Sequence, residues 1–364
     1  MNTDISMYIC SAWQEIDWKI VERQVFKLQK RIYKASQSGN VKLVHKLQRL
    51  LTHSYYGKLW ATRRITQDNQ GKKTAGVDGI KSLPERQRLE MVKKIHLGNK
   101  SKPTRRVWIP KPNGEKRPLG IPTIYDRVLQ TLVKMALEPQ WEAKFEANSY
   151  GFRPARSCQD AMAAIYNSIV QRPKFVLDAD IAKCFDKINH NKLLEKLESY
   201  PQLNRQVKAW LKSGVKDKGV WKPTIEGTPQ GGAISPLLAN IALHGMEQRI
   251  TEFANTLPGD KRKNRWALTL IRYADDFVIM HEKLEIILKC KEIISRWLDN
   301  LGLGLKSEKT RISHTLHTHE GNVGFQFLGF TVRQFLIGKN NSGKSSTGKK
   351  TGHKTLIVPS KDKV

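Results

Sequence analysis

Cysteine, acidic residues and long apolar runs are all scarce in this 364-residue sequence. No Cys-x-x-Cys pair exists among its widely separated cysteines, which are Cys10, Cys158, Cys184 and Cys290. A zinc knuckle or a disulfide framework is therefore not indicated, and a reducing bacterial cytoplasm or organelle interior fits. Because no apolar run approaches the roughly 20 residues that span a bilayer, and residues 1–4 do not begin a signal peptide, no membrane association is expected.

The shortage of acid leaves a large positive charge. Lys and Arg total 64 against 33 Asp and Glu, which gives a formal net charge of +31. So large an excess favours a polyanionic partner, and nucleic acid is the leading candidate because phosphate neutralisation releases counterions. By charge alone, an anionic membrane surface would be the alternative partner. The length allows two or three subdomains with a sizeable core.

Two of the few acids stand side by side in Tyr273-Ala274-Asp275-Asp276, between the short apolar runs 268–271 and 277–280. Both runs have the composition of strands, so this segment predicts a tight hairpin that projects acids from a sheet. Adjacent carboxylates repel each other, and a divalent cation such as Mg²⁺ would neutralise them. A plain acidic turn is the alternative.

Nucleotidyl transfer needs two cations roughly 3.5–4 Å apart and carboxylates from at least two chain segments. The apolar stretch 175–181 reads as a strand, and Asp180 near its end supplies a second acid if this strand lies beside the hairpin. An Asp that caps the following turn is the alternative for this position.

The other segments of the sequence predict both helices and strands. Basic amphipathic helices are expected over residues 13–66, with a break at Gly39-Asn40, and a ribbon with an Asn-Gly turn over 105–122. Two further strands are expected, one near Ile312 and one through 325–330. From Gly338 the sequence is rich in Gly, Ser and Lys, which predicts a linker-like tail without another packed element.

The ordered set of motifs resembles a reverse transcriptase, most closely a group II intron-encoded reverse transcriptase/maturase. The resemblance covers roughly residues 60–335. It rests on residues 76–79 (GVDG), 149–154 (SYGFRP), 180–190 (DIAKCFDKINH), 227–240 (GTPQGGAISPLLAN), 273–276 (YADD) and 328–330 (LGF).

This resemblance implies specific roles near the acids. Asp180 and Asp275 would ligate two Mg²⁺ ions, Asp276 would support or complete the site, and Ile181 would add a carbonyl ligand. Lys309 would protonate the pyrophosphate leaving group, with a solvated or ion-paired lysine as the alternative.

The resemblance also implies a nucleotide site. Lys111 and Arg117 would hold the triphosphate, with a basic surface hairpin as the alternative. Phe185 would pack under the sugar and exclude a 2′-hydroxyl, with core packing as the alternative. Gln230 would contact the nucleotide or template from a loop in which glycines permit close approach.

The implied fold is α+β: the fingers and palm of a right-hand polymerase, with an antiparallel palm sheet flanked by helices. The expected organisation is an N-terminal basic helical extension over 1–66, fingers over 67–174, a palm over 175–337 and a flexible basic tail over 338–364. The family continues into a thumb, which this sequence does not reach.

Three functions remain open at this stage. The first is an RNA-directed DNA polymerase that copies group II intron RNA from a DNA primer with dNTPs during retrohoming, with a maturase role in splicing for the full-length protein. The second is an RNA-binding maturase with little polymerase activity. The third is an RNA-dependent RNA polymerase, against which Phe185 argues. An oligomer is possible but not indicated.

Overall fold

The computed structural model describes residues 12–69, 74–110, 114–228, 230–338, 343, 348 and 350–360. The chain divides into two compact units, and each unit combines two separate segments. The first unit contains residues 1–144 and 188–241, and the second contains 145–187 and 242–364. The boundaries expected at 66, 174 and 337 stay predictions, and residues 188–241, which the sequence assigned to the palm, belong to the first unit.

The described helices are α1 (Trp18–Gln37), α2 (Val41–His53), α3 (Tyr55–Arg63), α4 (Glu85–Lys94), α5 (Ile124–Glu142), α6 (Cys158–Ile169), α7 (Cys184–Lys187), α8 (His190–Lys196), α9 (Pro201–Leu211), α10 (Ser235–Leu243), α11 (Met246–Ala254), α12 (Lys261–Ala267) and α13 (Leu284–Asp299). The strands are β1 (Thr104–Pro110), β2 (Lys116–Ile121), β3 (Phe175–Asp180), β4 (Val215–Asp217), β5 (Val220–Lys222), β6 (Thr269–Tyr273), β7 (Asp276–His281), β8 (Arg311–His314), β9 (Phe325–Phe327), β10 (Phe330–Leu336) and β11 (His353–Pro359). None of the described helices is both long and apolar enough to cross a bilayer.

The first unit begins with the predicted helical extension. The side chain of Asp17 caps α1, and that of Asn40 caps α2 after the expected break, where Gly39 has φ 69°. Buried residues of α1 recur at helical spacing and pack against α5, α2 and α3, so one apolar stripe holds the helix while its basic face stays exposed. Polar contacts add to this packing, since Gln48 Nε2 donates to the carbonyl of Ala136 in α5 at 3.2 Å.

The first unit also contains a sheet of order β2-β1-β4-β5. Strands β1 and β2 pair antiparallel from Arg105–Ile121 to Pro110–Lys116, which confirms the predicted ribbon. Strands β4 and β5 form a second, short hairpin that the sequence pattern did not reveal.

The second unit is organised around a sheet of order β6-β7-β3-β8, in which every pair is antiparallel. Helices α6 and α13 pack on this sheet. Val176, Ile271, Val278 and Met280 are buried in its core together with residues of α6. The predicted α+β architecture with an antiparallel sheet and flanking helices is thus confirmed for this unit.

A further sheet, of order β11-β10-β9, corrects two expectations about the end of the chain. The expected single strand over 325–330 is wrong, because Leu328 (φ 50°) and Gly329 (φ 83°) turn the chain between β9 and β10. The expectation of no packed element after Gly338 is also wrong. Strand β11 pairs with the whole of β10. Its less exposed residues alternate along the strand from the buried His353, but polar and charged neighbours obscure this strand pattern in the sequence.

Candidate active site

Strands β6 and β7 form the hairpin that carries the predicted acids. Tyr273 pairs with Asp276 at the end of the ladder, so Ala274 and Asp275 form a two-residue loop. This confirms the predicted tight hairpin. Ala274 has φ 58°, in the left-handed region that residues with a Cβ rarely adopt. The loop therefore places a strained backbone directly before Asp275.

A buried arginine stabilises this loop. Arg272 is only 1% exposed. Its Nη1 donates to the carbonyl of Ala274 at 3.0 Å, and its Nη2 donates to Ser149 Oγ at 2.7 Å. The guanidinium thus links the strained residue to a second chain segment, and such charge-assisted bonds are among the stronger hydrogen bonds in proteins.

That second segment packs its backbone against the hairpin. The amide of Tyr150 donates to the carbonyl of Arg272 at 2.9 Å. At the next residue, Gly151, an added Cβ would lie 2.3 Å from the amide nitrogen of Ala274, closer than any real Cβ contact. Only glycine fits here, so the conformation of residues 149–151 determines where the acidic loop lies.

The third predicted acid lies beside the hairpin. Strand β3 pairs with β7 so that Asp180 is opposite Asp276, which in an antiparallel ladder places the two Cα atoms roughly 4.5–5.5 Å apart. The amide of Ile181 donates to the carbonyl of Asp275 at 3.2 Å. The expected neighbourhood of these segments is confirmed, although the roles assigned to the residues stay predictions.

Lys309 lies at the same place. It ends a short 3-10 helix, Ser307–Lys309, and its Nζ is 2.7 Å from Asp180 Oδ2. The hydrogen bond to Asp180 raises the pKa of Lys309, so the amine is a protonated cation in this structure. The amide of Lys306 also donates to the carbonyl of Asp180 at 2.8 Å, which fixes the start of this segment.

Asp178 adds another carboxyl group that the sequence reasoning did not assign. It lies two residues before Asp180 and so on the same face of β3. Burial, and next the negative charge of Asp276, raises the pKa of Asp178 to about 7. The signal was available in the alternation Asp178-Ala179-Asp180, which aligns two acids along one strand face.

Phe185 lies in the short helix α7 that follows Ile181. Its side chain is 9% exposed, and its ring meets that of Phe152 edge-on, with 6.1 Å between centroids. Phe152 itself is 47% exposed and has φ 61°. The contact is compatible with core packing, and the predicted contact of Phe185 with a sugar stays a prediction.

The acidic cluster has the chemistry of a divalent cation site. Asp180, Asp275 and Asp276 offer hard carboxylate oxygens of the kind that Mg²⁺ prefers. Among the described side chains, no three or more His, Cys, Asp or Glu are already gathered closely enough to hold a metal ion. The cationic Nζ of Lys309 is instead bound to Asp180 and stands in for a positive ion there. The donor set therefore fits a cation, and in this structure one of its members, Asp180, is paired with Lys309.

Two of the predicted nucleotide-binding residues meet in the first unit. Arg117 Nε donates to Gln230 Oε1 at 3.0 Å. The carbonyl of Gln230 accepts from the amide of Gly120 at 2.6 Å, and a Cβ on Gly231 would lie 2.9 Å from the carbonyl oxygen of Gly120. The glycine-containing loop therefore lies directly on β2. Lys111 lies outside the described residues.

Two other residues escaped the sequence reasoning for different reasons. Arg272 directly precedes the acidic motif, yet nothing in its spacing shows that it is buried. Gly151 was included in the family resemblance, but its contact with Ala274 joins positions more than a hundred residues apart. Neither contact has a local sequence signal.

Comparison with known proteins agrees with this geometry. The family described as "Reverse transcriptase (RNA-dependent DNA polymerase)" matches residues 109–332, which include β3, the acidic hairpin and β8. The family described as "N-terminal domain of reverse transcriptase" matches residues 13–95, which include α1 to α4. The predicted family is therefore confirmed over most of the chain.

Individual relatives are consistent with these matches. Protein YkfC of Escherichia coli (strain K12) is 33% identical over 326 residues, which cover 79% of this chain and 82% of YkfC. Group II intron-encoded protein LtrA of Lactococcus lactis subsp. cremoris is 31% identical over an alignment of 401 positions, which covers 92% of this chain and 64% of LtrA. The chain thus spans less than two thirds of the length of LtrA. A relative encoded by a group II intron agrees with the branch that the motifs resembled, and the chain belongs to the reverse transcriptase family, the RNA-dependent DNA polymerases.

Proposed function

We propose that this reverse transcriptase acts on group II intron RNA and copies it into DNA from a DNA primer, with dNTPs and two Mg²⁺ ions. The observation that carries the proposal is the pairing of Asp180 with Asp276 next to the loop of Asp275. Acids from two distant segments meet at one end of one sheet. A structural role alone does not require this, because like charges at close range destabilise a fold.

In this proposal Asp180 and Asp275 hold the metal ions, with Asp276 and the carbonyl of Ile181 completing the site. When bound, the ions would supply activation of the attacking hydroxyl and charge neutralisation on the leaving group. The protein fixes the positions of the carboxylates in advance. Arg272 and Gly151 do so for Asp275 through the contacts of the hairpin loop.

The proposed triphosphate site uses Arg117 and Lys111. Arg117 presents a planar fork suited to phosphate oxygens, and Lys111 a point charge. The bond from Arg117 to Gln230 holds both side chains on the ribbon until a nucleotide replaces that contact. Phe185 is proposed to exclude the 2′-hydroxyl, which predicts a preference for dNTPs over rNTPs.

Lys309 is proposed to give a proton to the pyrophosphate. The raised pKa of its Nζ keeps the proton in place while the amine is bound to Asp180. Release of this contact would free a protonated amine near the acids. A purely structural ion pair would leave the rate of nucleotide addition unchanged in Lys309→Gln, and a general acid would not.

The test is primer extension on an RNA template with Asp275→Asn. We expect a loss of about a thousandfold in rate, since metal catalysis supplies several kcal/mol of transition-state stabilisation. Asp299→Asn, an exposed acid at the end of α13, is the charge-matched control. Incorporation that persists in Asp275→Asn would remove the polymerase assignment, and a preference for rNTPs would favour an RNA polymerase instead.

A maturase role in splicing is a second proposal, and it rests on the N-terminal helices. The lining of a groove of about 480 Å³ there includes Lys27, Lys30, Arg31 and Lys34, and no carboxylate of the described part of the chain lines it. The same proposal includes retrohoming and splicing by a longer protein that contains this chain. It also includes a location inside a bacterium or an organelle, where intron RNA is present.

The maturase proposal is tested by RNA binding. We expect Lys27→Glu/Arg31→Glu to weaken binding of intron RNA about tenfold and to reduce its salt dependence. Lys289→Glu/Lys291→Glu, on the exposed face of α13, is the matched control. Equal losses in both double variants would show that α1 has no special role in RNA binding.

A further inference from the structure

A second basic groove lies in the second unit, at the end of β6 away from the acids. Its volume is about 1160 Å³, and its lining includes Arg172, Lys174, Lys263, Arg265 and Trp266. Thr269, also in the lining, begins β6, and the acidic hairpin follows Tyr273 at the other end of the strand. Four residue steps along a strand separate the two ends by roughly 13 Å.

Helix α12 forms one wall, and core packing does not account for it. None of its residues is buried, and its sequence, KRKNRWA, is mostly cationic. Such a helix has no apolar stripe to hold it against the protein. Its order comes from local polar contacts instead: Asp260 caps its first turn by accepting from the amide of Lys263 at 2.9 Å, and Asn264 Nδ2 donates to the carbonyl of Leu257 in the preceding loop at 3.0 Å.

Trp266 is the one aromatic side chain of this helix and of the described lining of the groove. It is 77% exposed although it lines a concave surface. A tryptophan ring exposed next to cations offers a face on which a planar base can stack.

The charge of the groove is positive because cations outnumber carboxylates in its described lining. Glu247 accepts from the side chain of Asn148 at 2.7 Å, and Glu282 pairs with Arg172 at 3.1 Å. Lys263 and Arg265 remain on the exposed helix, and Arg265 Nη1 also donates to Asn255 at 2.8 Å. An anionic ligand thus meets more cations than acids here.

We propose that this groove binds a single-stranded segment of nucleic acid, with a base stacked on Trp266 and phosphates held by Lys263 and Arg265. Cations interleaved with an exposed aromatic ring are the combination that binds unpaired strands without sequence preference. An anionic membrane surface is broad and flat, so it gives no reason for the cations and the ring to line a concave groove. The inference rests on one part of the proposed function, namely that the enzyme binds nucleic acid.

The experiment measures binding of fluorescent oligonucleotides to the whole chain at several salt concentrations. For Lys263→Ala/Trp266→Ala we expect about tenfold weaker binding of single strands, from loss of one stacked base, and a salt slope smaller by about 0.7, from loss of one phosphate contact. Trp266→Phe with Lys263 intact retains most of the affinity because a ring remains. Lys291→Ala, an exposed lysine of α13, is the charge control and keeps the original affinity.

Separate arms use single-stranded RNA, single-stranded DNA, duplex RNA and anionic vesicles. A selective loss for either or both single strands supports the proposal and identifies the strand. Unchanged binding of both single strands in the double variant overturns it, as does a loss confined to vesicles or duplex. Because Trp266 and Lys263 are exposed, thermal melts of the variants should match the original protein.

A photocrosslink provides a second readout that does not depend on affinity. A single strand carrying 5-iodouracil should crosslink to the peptide that contains Trp266, and crosslinks that never include this peptide contradict the proposal. The outcome is separable from the polymerase test. Asp275→Asn should retain this crosslink and this affinity, so a failed polymerase assignment would leave the groove result standing.

Discussion

The second unit contains two hairpins, each with a two-residue loop, and the two loops are supported in different ways. Ala274-Asp275 joins β6 to β7, and Leu328-Gly329 joins β9 to β10. Each loop contains a non-glycine residue with φ near 50–60°. In the first, Arg272 and the backbone of Gly151 support the strained residue, whereas in the second Leu328 packs its own side chain on the core.

The difference shows two ways in which a loop residue with a strained backbone is stabilised. At Leu328 the cost of a left-handed backbone is offset by burial of the same residue. Ala274 has little side chain to bury, so its conformation depends on contacts made by other segments. A loop that carries acids and is held from outside has a defined position that its own sequence does not encode.

The sharpest way to break the first hairpin is Gly151→Ala. The new Cβ would meet the amide nitrogen of Ala274 at 2.3 Å and the carbonyl carbon of Tyr273 at 2.9 Å, and both are backbone atoms that cannot rotate away. We expect about a hundredfold loss of primer-extension rate, the scale of a displacement of roughly 1 Å at a reacting centre. Single-turnover kinetics measure it.

The matched control is Gly304→Ala. Its added Cβ meets nothing within 4 Å, and Gly304 lies in the same unit. This variant should keep the original rate. Comparable losses in both variants would mean that general destabilisation, and not displacement of the hairpin, accounts for the effect of Gly151→Ala.

Two substitutions with smaller expected effects test the difference between the loops directly. Ala274→Gly removes a Cβ from a left-handed residue, so we expect the free energy of unfolding to rise by up to about 1 kcal/mol, with a turnover several times slower because the loop is less constrained. Leu328→Gly loses packing and should lower the free energy of unfolding by about 1–2 kcal/mol. Urea unfolding of the two variants measures both changes, and equal signs would contradict the comparison.

The smallest expected effect concerns pH. The amide of Gly324, just before β9, donates to the carbonyl of His314, and His314 Nδ1 accepts from the amide of His317 at 2.9 Å. Burial, and next the charges of His317 and His319, lowers the pKa of His314 to about 4. This is below the unfolded value of about 6.5, so the unfolded chain binds more protons between the two values.

Stability should therefore fall as pH drops from about 6.5 towards 4, by about 1 kcal/mol after solvent screening. His314→Asn keeps an acceptor for the loop amide and does not titrate, so its stability should change less over that interval. Urea unfolding at successive pH values measures the contrast. Parallel curves for the two proteins would show that His314 does not contribute.

Much of the site could be predicted from residues alone. The apolar runs around Asp275 specify a hairpin, and the end of β3 specifies Asp180, because strand period and turn chemistry are local properties. The loop at Leu328 was missed because a leucine at positive φ has no local signature. Strand β11 was missed because its inward residues alternate with lysines near a polar tail.

Other features depend on contacts that no local pattern records. The burial of Arg272, the approach of Gly151 and the ion pair between Lys309 and Asp180 each join segments far apart in sequence. Each depends on the tertiary fold, which brings these segments together.

The interleaving of the two units has a consequence for synthesis. The chain passes from one unit to the other after residues 144, 187 and 241. While the ribosome is still making residues 188–241, helix α5 lacks part of the unit that covers it, and β3 has emerged without β6 and β7. Nascent chains therefore expose apolar surface for longer than two consecutive domains would, and this exposure makes chaperone engagement during translation more valuable.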